Sequence, residues 1–367
     1  MKILELKYID HQSGWNVQKV DFANLTLLVG ASGVGKTRIL NTLLILSRVA
    51  NGRSYNGIEW SLKISLNNTL YVWSGEFETK ESDYQEFLNF FEKDKEYKIK
   101  WEKLVKDGQT IFERADMNLF FNGKKTVKLD AAKSALTLLK EEDDVSPIYR
   151  AFRRVYELSD DTGSGVHFPF FNYEKSSLTL EEIRGITTIT PSDKLFLLKK
   201  NNLPEFQEIL DNFKMIFPLV EDLDFDMGNF NNSFSYPVLK MREKNVSSWI
   251  YGISSGMWRT LNQIITLTMA NDGDVILIDE FENGLGINCI DSLAENIMDP
   301  ERDIQVIITS HHPYIINNIP FSTWRVVTRK GSDVSIHTAD ELKIGKWSKH
   351  DAFIQLSNTK AFQTGEV

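Results

Sequence analysis

The sequence predicts an α/β fold. Its mixed, largely parallel core sheet is drawn from two separated stretches of chain, with an antiparallel β meander and a helical arm inserted between them. Three observations predict this. Short apolar runs at Leu25–Val29, Val275–Ile278 and Val306–Ile308 have the character of strands buried on both faces. The first run ends at Gly30, and from Thr37 a helical pattern places Ile39, Leu40, Leu43 and Leu46 on one face. Between the two stretches, Asn67-Asn68, Asp107-Gly108 and Asn122-Gly123 each interrupt segments that alternate on a period of two, as hairpin turns do.

The elements follow in order. The chain opens on strand-like Met1-Lys2-Ile3-Leu4-Glu5-Leu6, so no signal peptide is expected. After the first helix, Ile58–Leu66 and Thr69–Phe77 begin the meander, and the charged stretch Lys80–Lys98 reads as an exposed helix. Lys133 to Met215 reads as mostly helical and ends in Leu203-Pro204-Glu205-Phe206, a helix start with proline in its first turn. Strands return at Val220–Asp226 and Pro237–Arg242, and a second strand–helix alternation fills Ser247–Asn318. A hairpin around Trp324–His337 and a terminal helix near Lys349–Phe362 close the reading. The expected division is 1–130 for the first core half with the meander, 131–245 for the arm, 246–340 for the second core half and 341–367 for a helical tail.

Composition narrows the class. With 367 residues, 42% hydrophobic and 25% charged, the chain can bury a full core. A net charge of −9 argues against gripping duplex DNA through the average field, although it leaves room for a local basic patch. The single cysteine, Cys289, excludes an internal disulfide framework and suits a reducing compartment. No apolar run approaches the roughly 18 residues a membrane span needs. A cytoplasmic location is expected.

Gly30-Ala31-Ser32-Gly33-Val34-Gly35-Lys36-Thr37 matches G-x-x-x-x-G-K-[ST]. Glycines let the backbone wrap phosphates with its N–H groups while the following helix points its positive end at them. Lys36 is then the cation for the β- and γ-phosphates, the Thr37 hydroxyl a ligand of Mg²⁺, and Arg38 the next residue counted with the nucleotide contacts. Chance produces the constrained positions in roughly one chain in a hundred. A chance match has no reason to follow a strand and open a helix, as this one does.

Val275-Ile276-Leu277-Ile278-Asp279-Glu280 is an apolar strand ending in two acids. Acids often end strands merely as solvated turn residues. Downstream of a P-loop they gain specific roles. Asp279 reaches the Mg²⁺ shell, and Glu280 polarises the attacking water as general base. No N-K-x-D follows, which disfavours a Ras-like GTPase.

Tyr251-Gly252-Ile253-Ser254-Ser255-Gly256-Met257-Trp258-Arg259 stands shortly before that strand. Taken alone, Ser254 is a plain N-cap on an amphipathic helix. In this position, Ile253–Met257 resembles the L-S-G-G-Q signature of ABC ATPases, with Arg259 at a place where that family often has a basic residue. The resemblance extends to Phe281-Glu282-Asn283-Gly284-Leu285-Gly286, placed like the D-loop, and to Val306-Ile307-Ile308-Thr309-Ser310-His311-His312-Pro313, which resembles the switch-histidine strand. It implies an ABC-type P-loop ATPase head using ATP and Mg²⁺. Ser254, Ser255 and Gly256 of one chain would contact the γ-phosphate held by another, so two copies would close head-to-tail as a homodimer, or act within a higher homo-oligomer. By position His311 is the γ-phosphate contact and His312 its structural neighbour. No Q-loop glutamine is assigned, Gln109 having nothing further to single it out. Tyr8 and Trp15 are candidates to stack on adenine, though each reads more readily as core or surface packing.

Transport ATPases usually follow the two acids with proline and carry little between P-loop and signature. Here Phe281 follows and the intervening arm is long, which looks like the soluble OLD-, RecF- and SMC-related ATPases. OLD proteins carry a C-terminal Toprim nuclease, for which too little chain follows His311. The resemblance is therefore to ATPase subunits of split anti-phage systems such as PARIS or Septu, and implies a sensor or regulator of a separate effector, a nuclease. A RecF-like DNA-repair clamp is the alternative, with DNA as partner; a transporter energy subunit ranks third.

Overall fold

A computed structural model describes the chain apart from residues 82–95, 116–117, 159–176, 187–188, 231–233, 284, 287–288, 290–293, 295–296, 299–301, 345–348 and 367. Most of the expected Lys80–Lys98 helix, and Gly284 of the D-loop-like segment, lie outside the described residues. Two units are each internally packed: Met1–Glu157 with Asp272–Phe281 and Arg302–Val367, and Leu158–Asn271 with Glu282–Glu301.

The first unit begins with antiparallel β1 (Lys2–Asp10) and β2 (Trp15–Asp21). Next comes β3 (Leu25–Val29), which runs through the glycine-rich loop into α1 (Lys36–Ala50). The meander is β4 (Ile58–Leu66), β5 (Thr69–Phe77), β6 (Ile99–Lys106), β7 (Gln109–Ala115), β8 (Asn118–Phe121) and β9 (Lys124–Lys125). Its turns are built by the residues that announced them. Asn67 and Asn68 sit at φ 50° and 63°, Asp107 and Gly108 at 46° and 84°, and Asn122 and Gly123 at 47° and 74°. Two consecutive left-handed residues give the turn whose twist matches that of the flanking strands. Two short helices, α2 (Ala135–Leu138) and α3 (Ser146–Phe152), lead to β10 (Val155–Glu157).

The second unit holds α4 (Leu180–Gly185), α5 (Pro191–Lys200) and α6 (Pro204–Ile216), the last with its proline in the first turn. Thr179 with Glu182 and Thr190 with Asp193 form capping boxes that start α4 and α5. An antiparallel sheet of β11 (Val220–Phe230), β12 (Phe234–Glu243) and β13 (Ile250–Tyr251) follows, then α7 (Ser255–Met269). Leu195, Leu198, Ile209, Phe213, Leu261, Ile264 and Ile265 are buried in this unit.

The chain returns to the first unit as β14 (Val275–Ile278), β15 (Gln305–Thr309), α8 (Pro313–Asn318), β16 (Trp324–Lys330) and β17 (Asp333–Thr338). It ends in α9 (Lys349–Ser357) and α10 (Lys360–Gln363). The single terminal helix expected over Lys349–Phe362 is thus two helices, because Thr359 stops the first and caps the second through the N–H of Phe362.

Strand order in the large sheet is β10-β14-β15-β3-β16-β17-β2-β1-β4-β5-β6-β7-β8-β9. The first five are parallel, with Val155 opposite Val275, Ile278 opposite Ile308, Thr309 opposite Leu28 and Leu27 opposite Trp324. Their carboxyl ends therefore share one edge, the edge where α/β sheets place ligands. The meander continues the same sheet, since β17 pairs with β2 and β1 with β4. β10 lies inside the stretch read as helical. Three residues carry no periodic signal, and only tertiary pairing with β14 makes them a strand.

One buried polar knot ties the meander to α2 and the segment before it. Glu102 is fully buried and accepts hydrogen bonds from Trp73 Nε1 (2.9 Å), Ala135 N (2.8 Å) and the Ser134 hydroxyl. Burial pushes its carboxyl above the usual range, against the pull of nearby Arg114. Arg114 in turn donates to the carbonyls of Asp130, Ala131 and Lys133 at 3.0–3.1 Å. Trp73 packs edge-on against Trp60 and Phe152, with centroids 5.1 and 5.0 Å apart. Glu102→Ala strands several buried donors and is expected to cost about 3 kcal/mol or more. Glu102→Gln keeps an acceptor and should cost clearly less. Urea midpoints compare them, and an alanine variant as stable as wild type contradicts the assignment.

Candidate functional site

The loop after β3 depends on glycine for steric reasons. Gly30 has φ +145°, and a Cβ there would lie 2.5 Å from the Val327 carbonyl oxygen. Gly33 and Gly35 also take positive φ, at 80° and 107°. Val34 is buried and anchors the loop, whereas Ser32 and Gly33 are exposed. Gly35 precedes α1 and offers no side-chain cap, and no acid occupies the first turn. A helix start with no side-chain cap and no acid in its first turn has the polarity that suits an anion. Lys36 is only 5% exposed, and its ammonium donates to the carbonyls of Gly30 (3.0 Å) and Ala31 (2.8 Å). The loop therefore curls around a cation.

The next residue reaches across the sheet edge. Thr37 Oγ1 donates to Asp279 Oδ1 at 3.1 Å, joining positions 242 residues apart. Both groups offer hard oxygens, and adjacent corners of an octahedron with bonds of about 2.1 Å lie about 3.0 Å apart, so the pair fits Mg²⁺. Glu280 follows with its side chain exposed and its backbone at φ +46°, a conformation that non-glycine residues rarely adopt. Thr309 Oγ1 holds both acids, donating to Asp279 Oδ1 (2.6 Å) and accepting from the Glu280 N–H (2.8 Å).

After β15 the two histidines differ. His312 accepts the Tyr314 N–H on Nδ1 (3.3 Å) and caps α8, and its own N–H donates to the buried Ser310 hydroxyl (3.0 Å). His311, half-buried, stands two residues beyond Thr309. Arg38 points its guanidinium to Asp10 Oδ2 (2.8 Å) and Ser13 Oγ (2.6 Å), 4.4 Å above the Trp15 ring, so it braces the β1–β2 turn. Tyr8 and Trp15 are 4% and 1% exposed, and Trp15 lies under Gly35. Both are core residues, not open platforms for a base. Gln109 is exposed at the start of β7, opposite Lys106.

In the second unit, Ser254 is the N-cap of α7 and accepts the Met257 N–H at 3.3 Å. Ser254 and Ser255 are exposed and Gly256 half-buried. Arg259, one turn on, donates to the Asn283 carbonyl at 2.6 Å, which links the signature-like helix to the D-loop-like segment.

Two contributors escaped the sequence reading. Thr309 stood inside the switch-histidine-like segment but was given no role of its own, His311 and His312 being the residues weighed there. Arg329, which donates to the Gly33 carbonyl at 3.3 Å, comes from a hairpin with no motif. Among the described residues, one other cluster has metal-ligand spacing, His11 with Glu59 and Glu76, and there Glu76 is already paired with Lys100.

Among solved structures the chain is similar to an SMC head bound to the C-winged helix domain of ScpA, with 14% identity, 92% of this chain and 97% of that one covered, and a TM-score of 0.49. It is similar to the SMC head domain from Thermotoga maritima at 12% identity, with 92% and 99% covered and a TM-score of 0.43. An Smc head with an extended coiled coil, bound to the C-terminal domain of ScpA from Pyrococcus furiosus, gives 11%, 91% and 95%, and 0.49. Likenesses this distant carry no argument about activity or partners. No curated protein matches the chain. No helix among the described residues is long and apolar enough to cross a membrane. The family model described as "AAA domain, putative AbiEii toxin, Type IV TA system" matches residues 25–317, a span that begins with β3 and ends within α8. The chain therefore belongs to this AAA-domain family.

Proposed function

We propose that the chain is an ATPase that binds ATP·Mg²⁺ in the loop Gly30–Thr37 and hydrolyses it when two copies close head-to-tail. The observation that carries this reading is the Thr37–Asp279 contact beside a buried Lys36 and an exposed Glu280. Lys36 leaves its loop carbonyls for the β- and γ-phosphates, and the loop and α1 N–H groups take the remaining phosphate charge. Thr37 and Asp279 would hold Mg²⁺, which would supply charge neutralisation at the phosphates. Glu280 accepts the proton of the attacking water, and His311 bonds the γ-phosphate. Ser254, Ser255 and Gly256 present a hydroxyl and the N-terminal N–H groups of α7 to the γ-phosphate of the second copy. The exposure of Ser254 and Ser255 at a helix start suits that contact.

The biological role proposed is a cytoplasmic sensor that restrains or releases a separate effector, a nuclease, in anti-phage defence. The family description, with its toxin and its toxin–antitoxin system, is in keeping with a head that works beside a second component. Co-purification from native cells with the product of a neighbouring nuclease gene tests the role. Strong, salt-sensitive stimulation of turnover by duplex DNA favours a repair clamp instead.

Glu280→Gln should bind ATP as wild type does and lower turnover about 100-fold or more. It should also accumulate an ATP-dependent dimer, read by light scattering. Wild-type turnover in this variant removes Glu280 as base. Lys36→Ala and Ser254→Arg should each be inactive alone. Mixed, they form heterodimers with one intact shared site and should regain up to about a quarter of wild-type turnover. No recovery on mixing, with both variants folded, contradicts a site shared between copies.

A further inference from the structure

We infer that Thr309 is the positioning residue of the hydrolytic centre, its one hydroxyl setting the cation-binding carboxylate and the catalytic base together. The inference rests on the ATPase reading above and concerns how that site is held in shape.

A hydroxyl has a single proton and two lone pairs. The 2.6 Å contact with Asp279 Oδ1 takes the proton, because an ionised carboxylate only accepts. The 2.8 Å contact with the Glu280 N–H then falls on a lone pair. The same residue's carbonyl accepts the Phe281 N–H at 3.0 Å. Thr309 thus grips three consecutive residues, Asp279, Glu280 and Phe281, from the neighbouring strand.

The grip has something to hold. Glu280 sits at φ +46°, a conformation unfavourable for a residue with a Cβ, and such a backbone persists only where its surroundings fix it. Thr309 is itself fixed: it is 1% exposed, β-branched, and in register with Leu28 of the strand that leads into the P-loop. The Thr37 hydroxyl approaches the same oxygen of Asp279, so two hydroxyls, one from the start of α1 and one from β15, define where that carboxylate points. β15 also leads within two residues to His311. One strand end therefore sets the metal ligand, the base and the histidine.

Replacing Thr309 by valine keeps shape and branching but removes donor and acceptor, while serine keeps the hydroxyl. Thr309→Val should lower kcat about 10- to 100-fold, the range for losing a group that orients a metal ligand. The gain in affinity for a fluorescent ATP analogue on adding Mg²⁺ should shrink several-fold, while Mg²⁺-free affinity stays at the wild-type value. Thr309→Ser should restore both kcat and the Mg²⁺-dependent gain to within a few-fold. Wild-type kcat with an undiminished Mg²⁺-dependent gain in Thr309→Val, while Glu280→Gln is inactive, overturns this inference alone. Loss of Mg²⁺-free binding in the valine variant, or failure of serine to restore, also overturns it, because the effect is then damage to the fold. A wild-type chain that turns over no ATP in the same assay overturns the reading beneath it.

Discussion

The carboxylate of Asp279 is the point on which the rest of the structure bears. One of its oxygens receives the hydroxyls of Thr37 and Thr309, residues carried by the helix after β3 and by β15. That convergence requires β14, β15 and β3 to be parallel neighbours in register, so that their carboxyl ends reach the same edge. It requires a tight glycine loop between β3 and α1, with Gly30 pressed against the Val327 carbonyl of β16. A buried ammonium and an acid beside an uncapped helix start form a charge arrangement that a phosphate and a divalent cation complete.

The parallel strands supply position, and the meander supplies bulk. Its inner face buries Trp60, Trp73 and Phe77 beside Phe152, with Glu102 and Arg114 fastening the chain that leads back to the sheet. Arg38 extends this support to the site. Its guanidinium joins the β1–β2 turn to the first turn of α1, with Trp15 filling the space under Gly35. Arg38 and Trp15 thus stiffen the loop Gly30–Thr37 from below. Stiffness matters because electrostatic stabilisation works best when donors are in place before the substrate arrives.

How much of this was legible in the sequence depends on the kind of signal each part carries. The loop Gly30–Thr37 and the strand ending in Asp279 are contiguous in sequence, and their chemistry restricts residue choice at fixed spacing. The hairpin turns were legible because left-handed backbone selects asparagine, aspartate and glycine. β10 was hidden by its length. Arg329 was hidden because its partner lies far away in sequence and its own neighbourhood carries no motif, and Thr309 because the segment around it drew attention to His311 while its own partners sit on another strand. Tyr8 and Trp15 show the converse: an aromatic side chain says only that it will pack, and whether against a base or within a core is decided by tertiary structure. The break between α9 and α10 falls at Thr359, a capping residue that the single-helix reading passed over.

The central claim is that Thr37 and Asp279 form a cation site beside a bound triphosphate. Anomalous scattering from crystals grown with Mn²⁺ and a non-hydrolysable ATP analogue tests it most directly. The account predicts a peak about 2.2 Å from the Thr37 hydroxyl, close to the Asp279 carboxylate and bridging to the phosphates in the Gly30–Thr37 loop. A loop that binds the analogue with no metal at Thr37, or a peak confined to His11, Glu59 and Glu76, would contradict it.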